Sequence, residues 1–276
     1  MNLFKRLFKS VINGTFAIRV VNRLSRTQYV PAPDSFLDDF LAQHYPGDGW
    51  KVLSPAAKQI WVDLSPVFSA VAVKNIVYVG ANDGLIARSI DEAFPNRYFY
   101  LIEPVPSAFQ KLLDHLSSRP NMEFFNIAAG DKEEILPMFA DDFSPASSLL
   151  PYEDRALQEF PFLGKGHAIK VHMMPLDAIL QNCKAPEVDM LIMDVQGYED
   201  KVLQGAERTL QSCDVVMSEL SLQDLYRGSS TFDSVYQSLV KKGFQLRHLL
   251  NPIKGIHQTI LQIDGLFVRA ASFGKP

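Results

Sequence analysis

With 276 residues, 47% of them hydrophobic, the chain is long enough to bury one full core of about 200 residues plus an appendage. Its net charge of −4 divides into +6 over residues 1–33 and −10 over the remainder, so the main body lacks the basic face that nucleic-acid phosphates require. Cys183 and Cys213 lie far apart without a Cys-x-x-Cys motif, which argues against a disulfide framework or a zinc site and suits a reducing compartment.

In residues 1–30, Leu3, Phe4, Leu7, Phe8, Val11 and Ile12 fall at helical intervals, while Lys5, Arg6 and Lys9 lie off the stripe. A secretory signal needs an unbroken apolar core and a spanning helix about 20 apolar residues, and this segment has neither. A basic amphipathic helix is expected. It would lie peripherally on the inner face of an anionic membrane or pack on its own domain, and amphipathicity alone leaves both open. An acid-free, Arg-bearing start also fits a mitochondrial presequence. Residues 31–73 carry Pro31, Pro33, Pro46, Gly47, Gly49, Pro55 and Pro66 and read as a linker with short helices.

From residue 74 to residue 276 strands and helices alternate. Strand 75–80, helix 83–94, strand 98–103, helix 106–118 and strand 122–128 set a βαβ rhythm, which predicts a parallel sheet. Residues 131–166 interrupt it and form a candidate substrate loop or lid. Strand 168–174, helix 175–182, strand 188–195, helix 198–212, strand 213–220 and helix 231–243 resume it. Strands 244–250 and 264–270 then form a closing hairpin.

The most informative stretch is Asn75-Ile-Val-Tyr-Val-Gly80-Ala81-Asn82-Asp-Gly84. An apolar strand ends in a glycine bend, where a parallel sheet offers backbone N–H groups and a helix N-terminus to a nucleotide. A second strand ends in Glu103-Pro104, and an acid there is placed to accept hydrogen bonds from a ribose diol. A dinucleotide turn needs Gly-x-Gly-x-x-Gly, but Asn82 and Leu85 occupy its second and third glycine positions. S-adenosyl-L-methionine, an adenosine cofactor without phosphate, suits that turn better than NAD does.

Further along, Val188-Asp-Met-Leu-Ile-Met-Asp194-Val-Gln196-Gly197-Tyr198-Glu199 ends a buried strand in polar residues, and Asp214-Val-Val-Met-Ser-Glu219 ends another in an acid. Taken with Gly-Ala-Asn at 80–82, Glu103-Pro104, Asn126, Ala129-Gly130, Ser147-Ser148-Leu149, Leu176-Asp177 and the Val-Leu-x-Gly-Ala that follows Glu199, the chain over residues 74–270 resembles the FkbM family of S-adenosylmethionine-dependent methyltransferases. Two positions depart from that family's pattern. Tyr78 stands where an acid usually precedes the glycine bend, and Ile192 where a lysine usually precedes the strand aspartate.

The resemblance implies an α/β fold, a Rossmann-like doubly wound class I methyltransferase sheet with an antiparallel C-terminal edge. It also implies an O-methyltransferase acting in the cytoplasm on a hydroxyl of a sugar, glycan or other polyhydroxylated acceptor. Gly80, Ala81, Asn82, Gly84, Glu103, Asn126, Ala128, Ser147 and Ser148 are the expected cofactor contacts. Asp194 is the first-choice base and Glu219 the second, and no metal is expected. His167, His172, His248 and His257 are weaker base candidates. The competing readings are an NAD-dependent oxidoreductase and a membrane-associated cofactor-binding protein without methyl transfer.

Overall fold

A computed structural model describes residue 42, residues 53–182 and residues 187–272. The amphipathic segment 1–30, most of the linker before residue 53, and Cys183 lie outside the described residues.

Seven strands form the central sheet: β1 (Asn75–Val79), β2 (Tyr98–Ile102), β3 (Met122–Phe125), β7 (Met190–Met193), β8 (Val215–Ser221), β9 (Phe244–Lys254) and β10 (Ile260–Arg269). Their spatial order is β3-β2-β1-β7-β8-β10-β9. The first five are parallel; β10 runs antiparallel to both β8 and β9, so the predicted hairpin closes one edge.

Alternation along the strands sorts side chains to two faces. Ile76, Tyr78, Leu101 and Ile192 meet helices α1 (Pro55–Phe68), α2 (Leu85–Ala93) and α3 (Pro106–Leu116) through Leu64, Ile90 and Leu112. Val77, Val79, Ile102 and Phe267 meet the other face. There α5 (Leu176–Asn182), α6 (Glu199–Gln204), α7 (Thr209–Ser212) and α8 (Phe232–Lys241) contribute Ile179, Val202, Leu210 and Leu239. Helix α1 falls in the stretch read as linker. Its Ser54 cap accepts a hydrogen bond from the Ala57 N–H, and its Leu64 and Val67 are buried in the core.

Two predicted elements divide. The strand expected over 122–128 breaks at Asn126, whose amide donates to the carbonyls of Glu103 and Pro104, and β4 (Ala128–Gly130) starts beyond it. The helix expected over 198–212 splits into α6 and α7. The Asp177 carboxylate accepts from the N–H groups of Arg208 and Thr209 and so caps α7 separately. The interruption at 131–166 contains β5 (Glu134–Asp141), a 3₁₀ turn (Ser144–Ala146) and α4 (Asp154–Glu159), and leads into β6 (Gly166–Pro175). Strands β4, β6 and β5 make a second, three-stranded sheet.

Two register relations matter for the site. Tyr78 lies directly beside Ile192 across β1 and β7, so the two departures from the family pattern are neighbours. Met193 pairs with Ser218 and Glu219 pairs with Asp264, which sets Asp194, Glu219 and Asp264 in one row across three strands.

Leu112 is fully buried where α3 meets the sheet. Leu112→Ala is expected to cost about 2–5 kcal/mol, read as a lower urea midpoint at unchanged m-value.

Candidate active site

The glycine bend is built from backbone. Gly80 has φ +82°, and a Cβ there would lie 1.8 Å from the Asp194 carbonyl oxygen, so only glycine lets the ends of β1 and β7 meet. The N–H groups of Gly80 and Ala81 donate to the Ile102 carbonyl at 2.9 and 3.0 Å, tying the bend to the end of β2. Asn82 adopts φ +48°, a left-handed conformation that asparagine tolerates. Its N–H donates to Glu103 Oε2 at 2.9 Å, and its Oδ1 accepts from the Ser144 hydroxyl of the insertion. Gly84 is required for packing: a Cβ there would meet Leu112 Cδ1 at 2.5 Å.

Glu103 is 5% exposed, and its second oxygen accepts from the Val105 N–H at 2.8 Å. Burial pushes its carboxyl up to about 7, against the lowering effect of those two backbone bonds. Each oxygen keeps a further lone pair for a ligand hydroxyl. Asn126 joins this group through its bonds to the Glu103 and Pro104 carbonyls. The bend, Glu103 and Asn126 therefore form one connected unit.

The remaining expected cofactor residues sit elsewhere. Ala128 is buried with Val105, Met138 and Met173 in the core under the small sheet. The Ser147 hydroxyl accepts from the Asp141 N–H at 3.1 Å, and Ser148 donates to the Gln196 carbonyl at 2.7 Å. Both hydroxyls anchor the insertion, Ser148 directly on the turn after β7.

That turn carries the acids. Gln196 has φ +53° and Gly197 φ +97°. Glu199 Oε1 accepts from the N–H groups of Val195 and Gly197, both at 3.2 Å, and holds the turn from below. The Gln196 amide nitrogen donates to Asp194 Oδ1 at 2.7 Å and to Glu219 Oε2 at 2.9 Å, bridging the two candidate bases. Its Oε1 accepts from the Tyr226 hydroxyl at 2.8 Å. Gln262 donates to the same Glu219 oxygen at 2.6 Å, and Asn251 donates to Asp264 at 3.0 Å.

Burial raises Asp194 to about 6 and Asp264 to about 7. Glu219 is raised further by burial and by the charges of Asp194, Glu199 and Asp264. Gln262, Asp264, Asn251 and Tyr226 were missed from the sequence. The available signal was a pair of polar residues at alternate positions in an otherwise apolar strand, Ile260-Leu-Gln262-Ile-Asp264-Gly-Leu. The four histidines are exposed. Among the described residues, no group of three or more His, Cys, Asp or Glu is arranged to hold a metal ion.

A parallel sheet with an antiparallel hairpin edge, a glycine bend on the first strand and an acid at the tip of the second define a nucleoside-dependent transferase of the class I methyltransferase fold. The chain belongs to the FkbM methyltransferase family: residues 79–246 match the Methyltransferase FkbM domain. It is similar to the 2-O-methyltransferase NoeI of Sinorhizobium fredii (strain NBRC 101917 / NGR234), 26% identical over 164 residues. That match covers 55% of this chain and 65% of the relative's length.

Among solved structures, it is similar to Aeropyrum pernix fibrillarin with bound S-adenosyl-L-methionine. That similarity has a TM-score of 0.43 at 14% identity, over 72% of this chain and 68% of the other. The N-methyltransferase NodS of Bradyrhizobium japonicum WM9 gives 0.44 at 10%, over 78% and 97%. The family's methyl donor is S-adenosyl-L-methionine. The residues present fit it in one respect: Glu103, buried at the tip of β2, has spare lone pairs on both oxygens for two hydroxyls.

Glu103, Glu199 and Asp264, each near 7, and Asp194, near 6, hold protons in the folded chain that the unfolded chain has released. Their contribution to stability is full below the ordinary carboxylate range and is lost as pH rises through about 6 to 7. Ligand-free protein should therefore resist urea less at pH about 7.5 than at about 5. Glu199→Gln should flatten that fall.

Proposed function

We propose that the chain transfers a methyl group from S-adenosyl-L-methionine to a hydroxyl of a sugar, glycan or other polyhydroxylated acceptor, with Asp194 as the general base. One observation carries this reading. Asp194 ends β7 directly against the Gly80 bend, with one oxygen held by Gln196 and the other making no hydrogen bond among the described residues. A base beside the cofactor bend, fixed in orientation with one oxygen open, is the arrangement hydroxyl methylation needs.

When bound, S-adenosyl-L-methionine supplies a methyl group on a positively charged sulfur. Glu103 holds the ribose hydroxyls through the lone pairs left by Asn82 and Val105, and Gly80, Ala81 and Asn82 line the amino-acid end. Asp194, ionised above about pH 6, would take the acceptor hydroxyl's proton as the cofactor supplied its methyl group. The products are a methyl ether, S-adenosylhomocysteine and a protonated Asp194, which returns its proton to water. Glu219 is held on one oxygen by both Gln196 and Gln262, and burial with the charges of Asp194, Glu199 and Asp264 raises it well above the usual carboxylate range, which leaves it the second choice. The insertion is anchored by Ser144 on Asn82 and by Ser148 on the Gln196 turn, one anchor at the bend and one at the turn that carries the acids.

The basic stretch 1–30 supports a proposed contact with anionic membrane surfaces, which would bring the domain near a lipid-linked acceptor. Among the described residues no helix is long and apolar enough to cross a membrane. Full-length protein should co-sediment with anionic vesicles better than a version lacking residues 1–30; equal, poor sedimentation ends the idea.

Asp194→Asn should lower transfer of tritium from labelled cofactor into a glycan panel by about 10²-fold or more. Calorimetry should find its S-adenosylhomocysteine affinity nearly unchanged. Full activity in that variant rules out the base role. Glu103→Gln should instead weaken S-adenosylhomocysteine by roughly 10–100-fold, the loss of hydrogen bonds to a charged acceptor.

A further inference from the structure

Asp194, Glu219 and Asp264 stand side by side on β7, β8 and β10, and each has one oxygen fixed by an amide: Gln196 on Asp194, Gln196 and Gln262 on Glu219, and Asn251 on Asp264. The other oxygens, Asp194 Oδ2, Glu219 Oε1 and Asp264 Oδ1, make no hydrogen bond among the described residues. Asp194 and Asp264 are half-buried and Glu219 between them is buried, so the row meets solvent at its two ends.

Tyr78 supplies an independent observation. It is 5% exposed, yet its hydroxyl makes no hydrogen bond among the described residues. Tyr78 pairs with Ile192, which shares its strand face with Asp194, and burial followed by the charges of Asp194, Asp264, Asp83 and Glu219 raises the phenol, which sets it beside the carboxylate row.

A row of like acids with spare lone pairs calls for a positively charged hydrogen-bond donor. Among the described residues no group of three or more His, Cys, Asp or Glu is arranged to hold a metal ion, so the row is not a metal site. A neutral polyol would be served as well by asparagine or glutamine, without the repulsion. That repulsion is real: burial raises all three acids, and Asp194 adds to the rise of Glu219 and Asp264. Asp63 of α1 adds to Asp264, and Glu199 of α6 adds to Glu219. Among the described residues no lysine, arginine or histidine forms an ion pair with any of the row.

We propose that Glu219 and Asp264, with the Tyr78 hydroxyl, form a subsite beside Asp194 for a protonated primary amine. The amine belongs either to the acceptor or to the amino-acid end of the cofactor. Its three N–H donors meet Glu219 Oε1, Asp264 Oδ1 and the phenol oxygen, and its charge offsets the repulsion. The proposal rests on the assignment of this end of the sheet to the reacting groups.

The test is calorimetry on the full chain saturated with S-adenosylhomocysteine, titrated at neutral pH with glucosamine and with glucose. Glucosamine should bind about tenfold more tightly, with protons released as the raised acids ionise, read from the dependence of heat on buffer. Asp264→Asn should abolish the preference and the proton release, and Tyr78→Phe should reduce both. A second arm titrates S-adenosylhomocysteine and its deaminated analogue alone. If Asp264→Asn weakens only the amine-bearing form by about tenfold, the subsite stands with the cofactor as its source. The proposal is overturned if Asp264→Asn and Tyr78→Phe, both with wild-type melting temperatures, change neither the sugar preference nor the cofactor affinity. A chain that keeps the amine preference but methylates no hydroxyl would instead defeat the sugar O-methylation reading and leave the subsite intact.

Discussion

Two strand ends meet in this molecule through main chain alone. The missing side chain of Gly80 lets the carbonyl of Asp194 pack against the bend after β1, while the Asp194 N–H donates to the Val79 carbonyl at 3.0 Å. Everything that defines the site hangs from that junction. On one side, the bend passes its geometry to Asn82 and through it to the Glu103 carboxylate. On the other, the turn over residues 194–199 holds Gln196 in a left-handed conformation, from which its amide reaches two acids at once. A side chain at position 80 would force β1 and β7 apart and separate the cofactor end from the acid-bearing end, whatever the residues at either.

The acids are costly to the fold. Desolvation raises all three carboxyls above the usual carboxylate range, and the charge of Asp194 raises Glu219 and Asp264 further. Side-chain amides limit the cost. Gln196, Gln262 and Asn251 donate to them without bringing charge, and Tyr226 orients Gln196 in turn by donating to its carbonyl oxygen. Such a network fixes where the acids point while leaving their charge state open to whatever binds, a sign of a site and not of a structural core.

The sheet, the glycine bend and the contact between that bend and Glu103 were legible because their signals are local. Alternating apolar residues in β1 and β2, a glycine bend and an acid one strand later lie within a short span of chain. The acid-bearing end was half legible: Asp194 directly follows β7, and Glu219 lies two residues before the end of β8. Asp264 was not, because its place depends on the antiparallel pairing of β10 with β8, a contact between distant segments that no local pattern encodes. Some shared family marks have a structural meaning. Asp177 caps α7, and Gly205 lies so close to the Gly130 carbonyl that a Cβ would fall 1.8 Å from its oxygen. Ser147 and Ser148, read beside the cofactor, have their hydroxyls committed within the chain, because the insertion folds into a sheet of its own.

The adjacency of Tyr78 and Ile192 makes one event of two exceptions. Inside the protein, an aromatic ring here stands against an aliphatic branch, two residues before Asp194. Restoring either ionic member by itself would strand a bare charge in the core, at several kcal/mol. The couple can therefore change charge only jointly, and as it stands it gives Asp194 no counter-ion.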